Sequence, residues 1–309
     1  MILLCGLPAE APLALVASEL ADRKVPVAFF DQRHSGASSL TFDVTDDGLT
    51  GELTLPAARV RLDDIDGVYL RLQDDRKFPD VRAAGPGSAY AEQVRSLHAA
   101  FIEWTEMTSA LVVSRFSRQA SNGSKPYQAQ IINACGFAVP PTLITNEPER
   151  VLDFRQRHGR VVYKSVSGIR SVVTELTEPD LRRLGQITWC PVQFQKLVPG
   201  TDVRVHVVGE QVFPTRISSD AVDYRYAARQ DHPAAELSPT TLAPEVAARC
   251  VDLARRLELP FAGLDLRMGD DGQTYCFEAN PSPAFSYYQH HTGQPIAAAL
   301  ADLFERGGT

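Results

Sequence analysis

The sequence predicts an α/β protein made of more than one lobe. Short apolar strands at Ile2 to Cys5 and Val27 to Phe30 flank Glu10 to Arg23, whose apolar residues recur at helical spacing. The chain has 309 residues, more than a single hydrophobic core usually organises. Two or three packed lobes are therefore expected.

Composition and charge narrow the function classes. With 44% hydrophobic and 22% charged residues, the chain is typical of a globular protein. A net charge of -7 argues against nucleic acid as the main partner, because phosphate binding depends on Lys and Arg. No apolar run approaches the roughly 20 residues that span a bilayer, and the first residues lack the basic start of a signal peptide. We expect a cytoplasmic protein without a membrane partner.

Residues 1 to 116 are expected to form a front α/β domain. Gly67 to Arg71 predicts a further strand in it, and Ser88 to Met107 predicts a long helix. The boundary is placed near Phe116 because the following residues, Ser117 to Ser124, are small and polar.

Residues 117 to 190 are expected to form a central lobe. Its strand Val161 to Ser165 carries Lys164 into a loop of small residues that includes a glycine. Such a loop suits phosphate, because short side chains let backbone N–H groups approach the oxygens while the ammonium supplies charge. A solvated strand end is the alternative interpretation of Lys164.

Residues 191 to 309 are expected to form a C-terminal lobe. Two of its strands, Asp202 to Val208 and Gln211 to Ile217, are joined by a hairpin turn. The segment Ser218 to Ser238 has little apolar periodicity and is a candidate lid, because long structureless loops in compact enzymes often cover sites. We expect its Arg225 to bring a cation over the site.

Two short strands near the end of the chain predict a metal site. Glu278 and Asn280 share one face because side chains alternate along a strand, and pairing Arg267 with Thr274 puts Asp265 on the same face. Two carboxylates and an amide oxygen form a donor set that Mg²⁺ accepts. The polar face of an exposed hairpin is the alternative interpretation. The two strands are Ala262 to Arg267 and Thr274 to Asn280.

Taken in order, these residues resemble the ATP-grasp superfamily of carboxylate–amine ligases. The resemblance covers about Ser117 to Phe304. Its key positions are Lys125, Lys164, Gln195 to Val198, Asp202, Asp265, Glu278 and Asn280. Four stretches are similar to the subgroup near the ribosomal-protein S6 glutamate ligase and the maturases of ester- and amide-crosslinked peptides: Ser124 to Gln128, Val139 to Asn146, Pro199 to Gly209 and Thr292 to Ile296.

The resemblance implies an ATP-grasp fold in which a nucleotide lies between two lobes behind a variable front domain. ATP and two Mg²⁺ ions are the implied cofactors. Lys125 and Lys164 would hold the α- and β-phosphates. Gln195 would meet the adenine through its side chain, and the backbone of Lys196 and Val198 would complete base recognition.

The resemblance also implies roles for the remaining polar residues. Asp202 would meet the ribose hydroxyls. The two Mg²⁺ ions would be held by Asp265, Glu278 and Asn280. The subgroup often has Glu after the adenine-binding Gln, whereas this chain has Lys196, which puts nucleotide preference in question if that side chain takes part.

Two arginines are expected to handle the transferred phosphoryl group. Arg204 and Arg216 lie on neighbouring predicted strands and would face the same cavity, where they could hold the γ-phosphate or the substrate carboxylate. Arg225 would join them from the lid.

The implied activity is an ADP-forming ligase that joins a carboxylate to an amine through an acylphosphate, with an amino acid or a peptide as one substrate. Two other classes stay open: an ATP-binding regulatory or scaffold protein without turnover, and an ATP-grasp kinase. A homo-oligomer also stays open. The variable front domain and the lid would build the acceptor pocket, so the motifs do not identify the substrate.

Overall fold

The computed structural model of the chain describes residues 1–46, 48–166, 173–219 and 235–307. Within these ranges the strands form four sheets that divide among three parts of the chain. None of the helices in these ranges is long and apolar enough to cross a membrane.

The front domain combines a parallel and an antiparallel sheet. The parallel sheet has the order β2-β1-β6-β7, and β3, β4 and β5 form a small antiparallel sheet. Every residue of β1 is buried, because helices cover both faces of a parallel sheet. The elements are β1 (Ile2–Gly6), α1 (Ala11–Asp22), β2 (Val27–Asp31), β3 (Ser39–Thr45), β4 (Gly48–Leu55), β5 (Ala58–Arg61), β6 (Gly67–Leu70), α2 (Pro79–Ala84), α3 (Ala89–Met107) and β7 (Leu111–Val113).

The central lobe has a core of its own. Its sheet has the order β10-β9-β11-β8, so β11 (Val192–Lys196) lies in this lobe and not, as expected, in a C-terminal lobe that begins at residue 191. Val151, Phe154, Val161, Leu184 and Phe194 pack together on it, and every member of this cluster lies between residues 143 and 194. The elements are α4 (Lys125–Ala134), β8 (Thr142–Thr145), α5 (Pro148–His158), β9 (Val161–Ser165), β10 (Thr174–Glu175), α6 (Glu178–Arg182) and β11 (Val192–Lys196).

The C-terminal lobe is a five-stranded antiparallel sheet of order β14-β13-β12-β15-β16. Its buried face packs against α7 and also against α4, whose Ile132 joins Val205, Leu253 and Leu264 in one cluster. Helix α4 therefore packs on this lobe although it precedes the central sheet in the chain. The elements are β12 (Gly200–Val208), β13 (Gln211–Ser218), β14 (Glu236–Pro239), α7 (Pro244–Arg256), β15 (Phe261–Gly269), β16 (Thr274–Asn280), α8 (Ser286–Thr292) and α9 (Ile296–Gly307).

Helix α9 joins the C-terminal lobe to the front domain. Its Phe304 is buried with Leu4 and Tyr69 of the parallel sheet, and the same cluster contains Val208 and Phe261 of the antiparallel sheet. Apolar side chains that are removed from water together stabilise the joined arrangement. The two parts of the chain thus share a continuous core.

Candidate active site

Two neighbouring strands carry the predicted metal ligands on one face, and a third strand adds Arg204. Strand β15 pairs with β16 so that Asp265 stands opposite Glu278 and Gly263 stands opposite Asn280. Strand β12 lies on the other side of β15 and places Arg204 opposite Asp265. The expected convergence of Asp265, Glu278 and Asn280 on one sheet face agrees with this register.

A β-bulge produces that convergence. Thr274 pairs with Met268 rather than with Arg267 as expected, and this register alone would set Asp265 opposite Phe277. The register shifts by one residue between Asp265 and Leu266, which leaves Phe277 without a partner residue on β15. The extra residue returns Glu278 to the face of Asp265, because side chains alternate in a strand.

Each carboxylate of the predicted metal site is paired with a cation. Arg204 Nη1 lies 2.6 Å from Asp265 Oδ1, and only 7% of the Arg204 side chain is exposed. Lys125, the first residue of α4, places Nζ 3.5 Å from Glu278 Oε2. The two basic groups offset the repulsion between neighbouring carboxylates.

Gly263 makes room for the Arg204 guanidinium. A Cβ at position 263 would lie 2.0 Å from Arg204 Nη2 and 2.7 Å from Pro283 Cβ. The guanidinium carbon also lies 5.8 Å from the ring centre of Tyr288. A side chain at position 263 would therefore displace Arg204 from the carboxylate row, the name used here for Asp265 and Glu278.

Gln128 connects α4 to β16, the strand that carries Glu278 and Asn280. Its Nε2 donates to Ala279 O at 2.8 Å, and Ala279 N donates to its Oε1 at 2.9 Å. Gln128 is 2% exposed, and Ala279 lies between Glu278 and Asn280. The same helix thus supplies Lys125 and holds the strand that Lys125 faces.

A cavity of about 520 Å³ separates the central sheet from α4 and β16. Lys125, Lys164 and Gln195, which are predicted to hold one nucleotide, all line it. Gln195 Nε2 donates to Thr142 Oγ1 at 3.0 Å, which fixes the orientation of the amide. The apolar wall includes Phe277.

The other residues that are predicted to bind the nucleotide lie along the connection between β11 and β12. The backbone N–H of Lys196 donates to Pro141 O at 3.0 Å. The Val198 carbonyl accepts a hydrogen bond of 2.8 Å from Arg267 Nη1, and Arg267 also binds both carboxylate oxygens of Asp202 at 2.7 and 2.8 Å. A carboxylate has about four lone-pair sites, so Asp202 keeps acceptor capacity for hydroxyl groups.

The register corrects the expectation for Arg216. Val208 pairs with Gln211, so Thr215 stands opposite Arg204 and Arg216 stands opposite Val203. Because Val203 packs into the core on the other face, Arg216 does not face the Arg204 side of the sheet, and it is exposed.

Two expectations lie outside the described residues. Arg225 and most of the candidate lid fall within residues 220–234, and most of the loop after Lys164 falls within residues 167–172. Only the ends of the candidate lid are described, where Ser218 ends β13 and Glu236 begins β14. The role of Arg225 stays a prediction.

The donor set at the carboxylate row fits Mg²⁺. Among the residues that the structure describes, no three of His, Cys, Asp and Glu form a group that could hold a metal ion. The expected set differs from such groups, because it consists of two carboxylates and the amide oxygen of Asn280. Asn280 Oδ1 accepts from Ser282 N at 2.9 Å, which orients the amide. Hard oxygen donors, few in number, are what Mg²⁺ takes from proteins.

A buried histidine, His206, lies beside the site, and burial lowers its pKa. His206, two residues after Arg204 on the same face of β12, is completely buried and packs edge-on to Tyr288 at 4.9 Å between ring centres. Desolvation lowers the pKa of His206 well below its usual value, and the charge of Arg204 lowers it further. His206 is therefore neutral at pH 7.

Arg71 is a polar residue to which the sequence assigned no role. It follows β6, is 9% exposed, and binds Glu10 Oε1 through Nη2 at 2.6 Å. Its Nη1 donates to Ser282 Oγ at 3.1 Å, just beyond the metal strand. The signal in the sequence was an arginine directly after a fully apolar strand.

Comparisons with known proteins define the class. No protein-family model matches the sequence, and no curated protein matches it significantly. A RiPP-associated ATP-grasp ligase from Chryseobacterium gregarium, solved with ADP and a leader and core peptide, has a TM-score of 0.83 at 22% identity over 99% of this chain and 96% of that chain. The macrocyclase MdnC of Microcystis aeruginosa, bound with the precursor peptide MdnA, has a TM-score of 0.81 at 20% identity over 99% and 100%.

A third similar structure was solved with both Mg and ADP. The ATP-grasp ligase PsnB, complexed with a phosphomimetic variant of its minimal precursor, Mg and ADP, has a TM-score of 0.80 at 25% identity over 100% of this chain and 98% of that chain. This chain therefore has the ATP-grasp fold, which confirms the expected fold class. Within that class, all three similar structures were solved with a precursor peptide or with a leader and core peptide, in agreement with the subgroup resemblance.

Proposed function

We propose that this protein is an ATP-dependent ligase that joins a carboxylate to an amine, acts on a peptide and releases ADP. The observation that carries the proposal is the row of Arg204, Asp265 and Glu278 on adjacent strands, beside the cavity that Lys125 and Lys164 line. Similar ligases have been solved with ADP, Mg and precursor peptides, which supports both the cofactors and a peptide substrate.

The chemistry requires activation of a carboxylate. A carboxylate is a poor electrophile, so the γ-phosphoryl group of ATP moves onto one of its oxygens and ADP leaves. The amine then attacks the acyl carbon of this acylphosphate, the bond to the phosphate oxygen breaks, and the nitrogen loses a proton. Bound Mg²⁺ would neutralise negative charge on the phosphates during the first step.

Different residues of the chain would bind the metal ions and the phosphates. Asp265, Glu278 and Asn280 would hold the metal ions. Lys125 and Lys164 would bind the α- and β-phosphates, because ammonium groups at the cavity wall make charge-assisted hydrogen bonds to phosphate oxygens.

Arg204 would meet the transferred phosphoryl group. Its guanidinium is held against Asp265 by the space at Gly263, so a fixed cation faces the carboxylate row. Preorganised charge costs no reorganisation when negative charge moves from one oxygen to another.

Gln195 and Asp202 would bind the nucleoside part of ATP. The oriented amide of Gln195 would meet the adenine amino group, and Asp202 would accept from the ribose hydroxyls. The backbone of Lys196 and Val198 would supply the remaining base contacts.

An oxygen-transfer experiment tests the proposal. Peptides with Glu or Asp side chains, in which both carboxylate oxygens are ¹⁸O, are incubated with the protein, ATP and Mg²⁺. We expect one ADP for each amide bond and one ¹⁸O atom in each released phosphate. Labelled AMP, or a stable phosphorylated peptide without an amide, would overturn the proposal. The Asp265→Asn variant serves as the inactive control.

A further inference from the structure

Two pairs of arginine and aspartate lie side by side on the sheet face that carries the proposed metal ligands. Strand β15 pairs with β12 so that Asp265 stands opposite Arg204 and Arg267 stands opposite Asp202. Residues two apart on a strand share a face, so Arg267 is on the same side of the sheet as the carboxylate row. The other three residues have a part in the proposed function, whereas Arg267 has none.

The Arg267 guanidinium binds two residues that are predicted to contact the nucleoside. Its Nε and Nη2 donate to Asp202 Oδ1 and Oδ2 at 2.7 and 2.8 Å, and its Nη1 donates to the Val198 carbonyl at 2.8 Å. Only 18% of the Arg267 side chain and 21% of the Asp202 side chain are exposed. A guanidinium that binds both oxygens of a carboxylate fixes the orientation of that carboxylate.

A further contact of Arg267 reaches the wall of the nucleotide cavity. Its guanidinium carbon lies 5.4 Å from the ring centre of Phe277, within the roughly 6 Å at which a cation is attracted to an aromatic face. Phe277 is the bulged residue of β16 and lines the cavity. One guanidinium therefore joins two residues that would bind the nucleoside to one that lines its cavity.

An ion pair that only stabilises the fold is the alternative interpretation of Arg267. The pair of Arg160 and Glu175 is an example, because it has the same two-bond geometry, at 2.7 Å for each bond, but 66% of the Arg160 side chain is exposed. Exposed pairs of this kind contribute little. The Arg267 pair differs because it is largely buried and because the same guanidinium also holds the Val198 carbonyl.

We propose that Arg267 is a positioning residue for the nucleotide, which holds the Asp202 carboxylate in the orientation that accepts from the ribose hydroxyls and so makes the site prefer ribonucleotides to deoxyribonucleotides. The inference rests on the proposed function, in which Asp202 meets the ribose. Hydrogen bonds are directional, so a rotated Asp202 would keep its charge and lose its contact with the hydroxyls. Arg267 also offsets the charge of Asp202 near the phosphates, but this second effect is the same for every nucleotide.

Binding of ADP and of its 2′-deoxy and 3′-deoxy analogues tests the inference without turnover. Each nucleotide is titrated with Mg²⁺ into the full-length protein in a calorimeter. The ribose preference is the Kd of an analogue divided by the Kd of ADP. We expect the wild type to bind at least one analogue about tenfold or more weakly than ADP, because that analogue lacks a hydroxyl that donates to a carboxylate.

Variants of Arg267 separate orientation from charge. Arg267→Met removes the guanidinium and should reduce the ribose preference to about threefold or less, in addition to weakening the binding of all three nucleotides. Arg267→Lys keeps a positive charge but cannot bind both carboxylate oxygens and a carbonyl in the same way, so it should also lose most of the preference. Arg160→Met, which breaks the exposed pair, is the matched control and should keep the wild-type preference.

A double variant tests whether Arg267 acts through Asp202. Asp202→Asn should itself reduce the ribose preference to about threefold or less. Asp202→Asn/Arg267→Met should show no further reduction, because residues that act as one unit are not additive. Thermal melting verifies that every variant is folded. A further, independent reduction in the double variant would overturn the inference.

The remaining outcomes separate this inference from the proposed function. A wild type that binds the three nucleotides alike, or binds none of them, would overturn the inference. So would a full ribose preference in Arg267→Met or in Arg267→Lys, because Arg267 would then act through the fold or through charge alone. If the preference behaves as expected but no peptide yields ADP and an amide, the ligase proposal fails while the role of Arg267 stands. If amide forms and Arg267→Met keeps the preference, the ligase stands and the role of Arg267 fails.

Discussion

The space at Gly263 leads to a specific prediction for the Gly263→Ala variant. The new Cβ would lie 2.0 Å from Arg204 Nη2. Ordinary van der Waals separation is about 3.5 Å, so the guanidinium must retreat by about 1.5 Å and lose its contact with Asp265. A misplacement of about 1 Å in a catalytic group can cost about 100-fold in rate, equivalent to about 2.7 kcal/mol in the activation barrier. We therefore expect kcat for ADP formation to fall about 100-fold.

The matched control is Gly185→Ala. No atom lies within 4 Å of a Cβ at that position, so this variant reports the general effect of the exchange on the backbone. Both variants are compared with the wild type in ADP release at saturating ATP and Mg²⁺, and in thermal melting. A folded Gly263→Ala protein with kcat within threefold of the control would refute the catalytic placement of Arg204.

Four further perturbations test other parts of the site. Lys164→Ala should weaken ATP binding by about 2 to 4 kcal/mol in calorimetric titration, because a charge-assisted phosphate contact is lost; an unchanged Kd would mean a solvated strand end. Glu278→Ala should abolish ADP formation with little change in melting temperature, since a partly exposed carboxylate contributes little to the core; near-normal activity would remove the metal assignment. Gln128→Leu should cost about 2 to 4 kcal/mol in urea unfolding and raise the Mg²⁺ requirement, because it leaves both backbone groups of Ala279 unsatisfied; a loss below about 0.5 kcal/mol would contradict this. Burial lowers the pKa of His206 in the folded protein, so the unfolded chain binds more protons as the pH falls through the usual range of histidine, and the free energy of unfolding should fall with decreasing pH; an identical slope in His206→Phe would contradict the assignment.

Strands β15 and β16 show how much of the local structure hydrophobic periodicity can predict. Strand β16 has the bounds that the sequence predicts, and alternation correctly puts Glu278 and Asn280 on one face. The bulge at Phe277 was not predicted. It arises because Cys276 and Ala279, three residues apart, are both fully buried in the C-terminal core. Strict alternation would place them on opposite faces, so core packing decides the register.

The expectation that Arg216 faces the same cavity as Arg204 was wrong, and the length of the turn in the sequence already indicates this. The turn at Gly209 and Glu210 sets Val208 against Gln211, and counting from that pair places Arg204 opposite Thr215. The face of a residue on a neighbouring strand follows from turn length, whereas the expectation rested on strand adjacency alone.

Other features depend on contacts between distant parts of the chain. Gln128 and Ala279 are 151 residues apart, and Arg71 and Ser282 are 211 residues apart. Local patterns mark where a helix or a strand begins, but they do not state which backbone group a buried amide will meet. Motif order selected the residues that are predicted to bind the nucleotide, and the tertiary structure was needed to identify the residues that hold them in place.

The shared core around α9 limits how the parts of this protein can move relative to one another. Phe304 and Leu300 are buried together with residues of both the parallel and the antiparallel sheet, and Arg23 of the front domain lies 2.6 Å from Glu305. Separating these two parts would expose that apolar surface to water. Among the described residues, the apolar cluster of the central sheet stays within residues 143–194 and shares no member with that core. We therefore expect the nucleotide cavity to open and close by a swing of the central sheet about its chain connections, while the front domain and the C-terminal lobe move as one rigid frame.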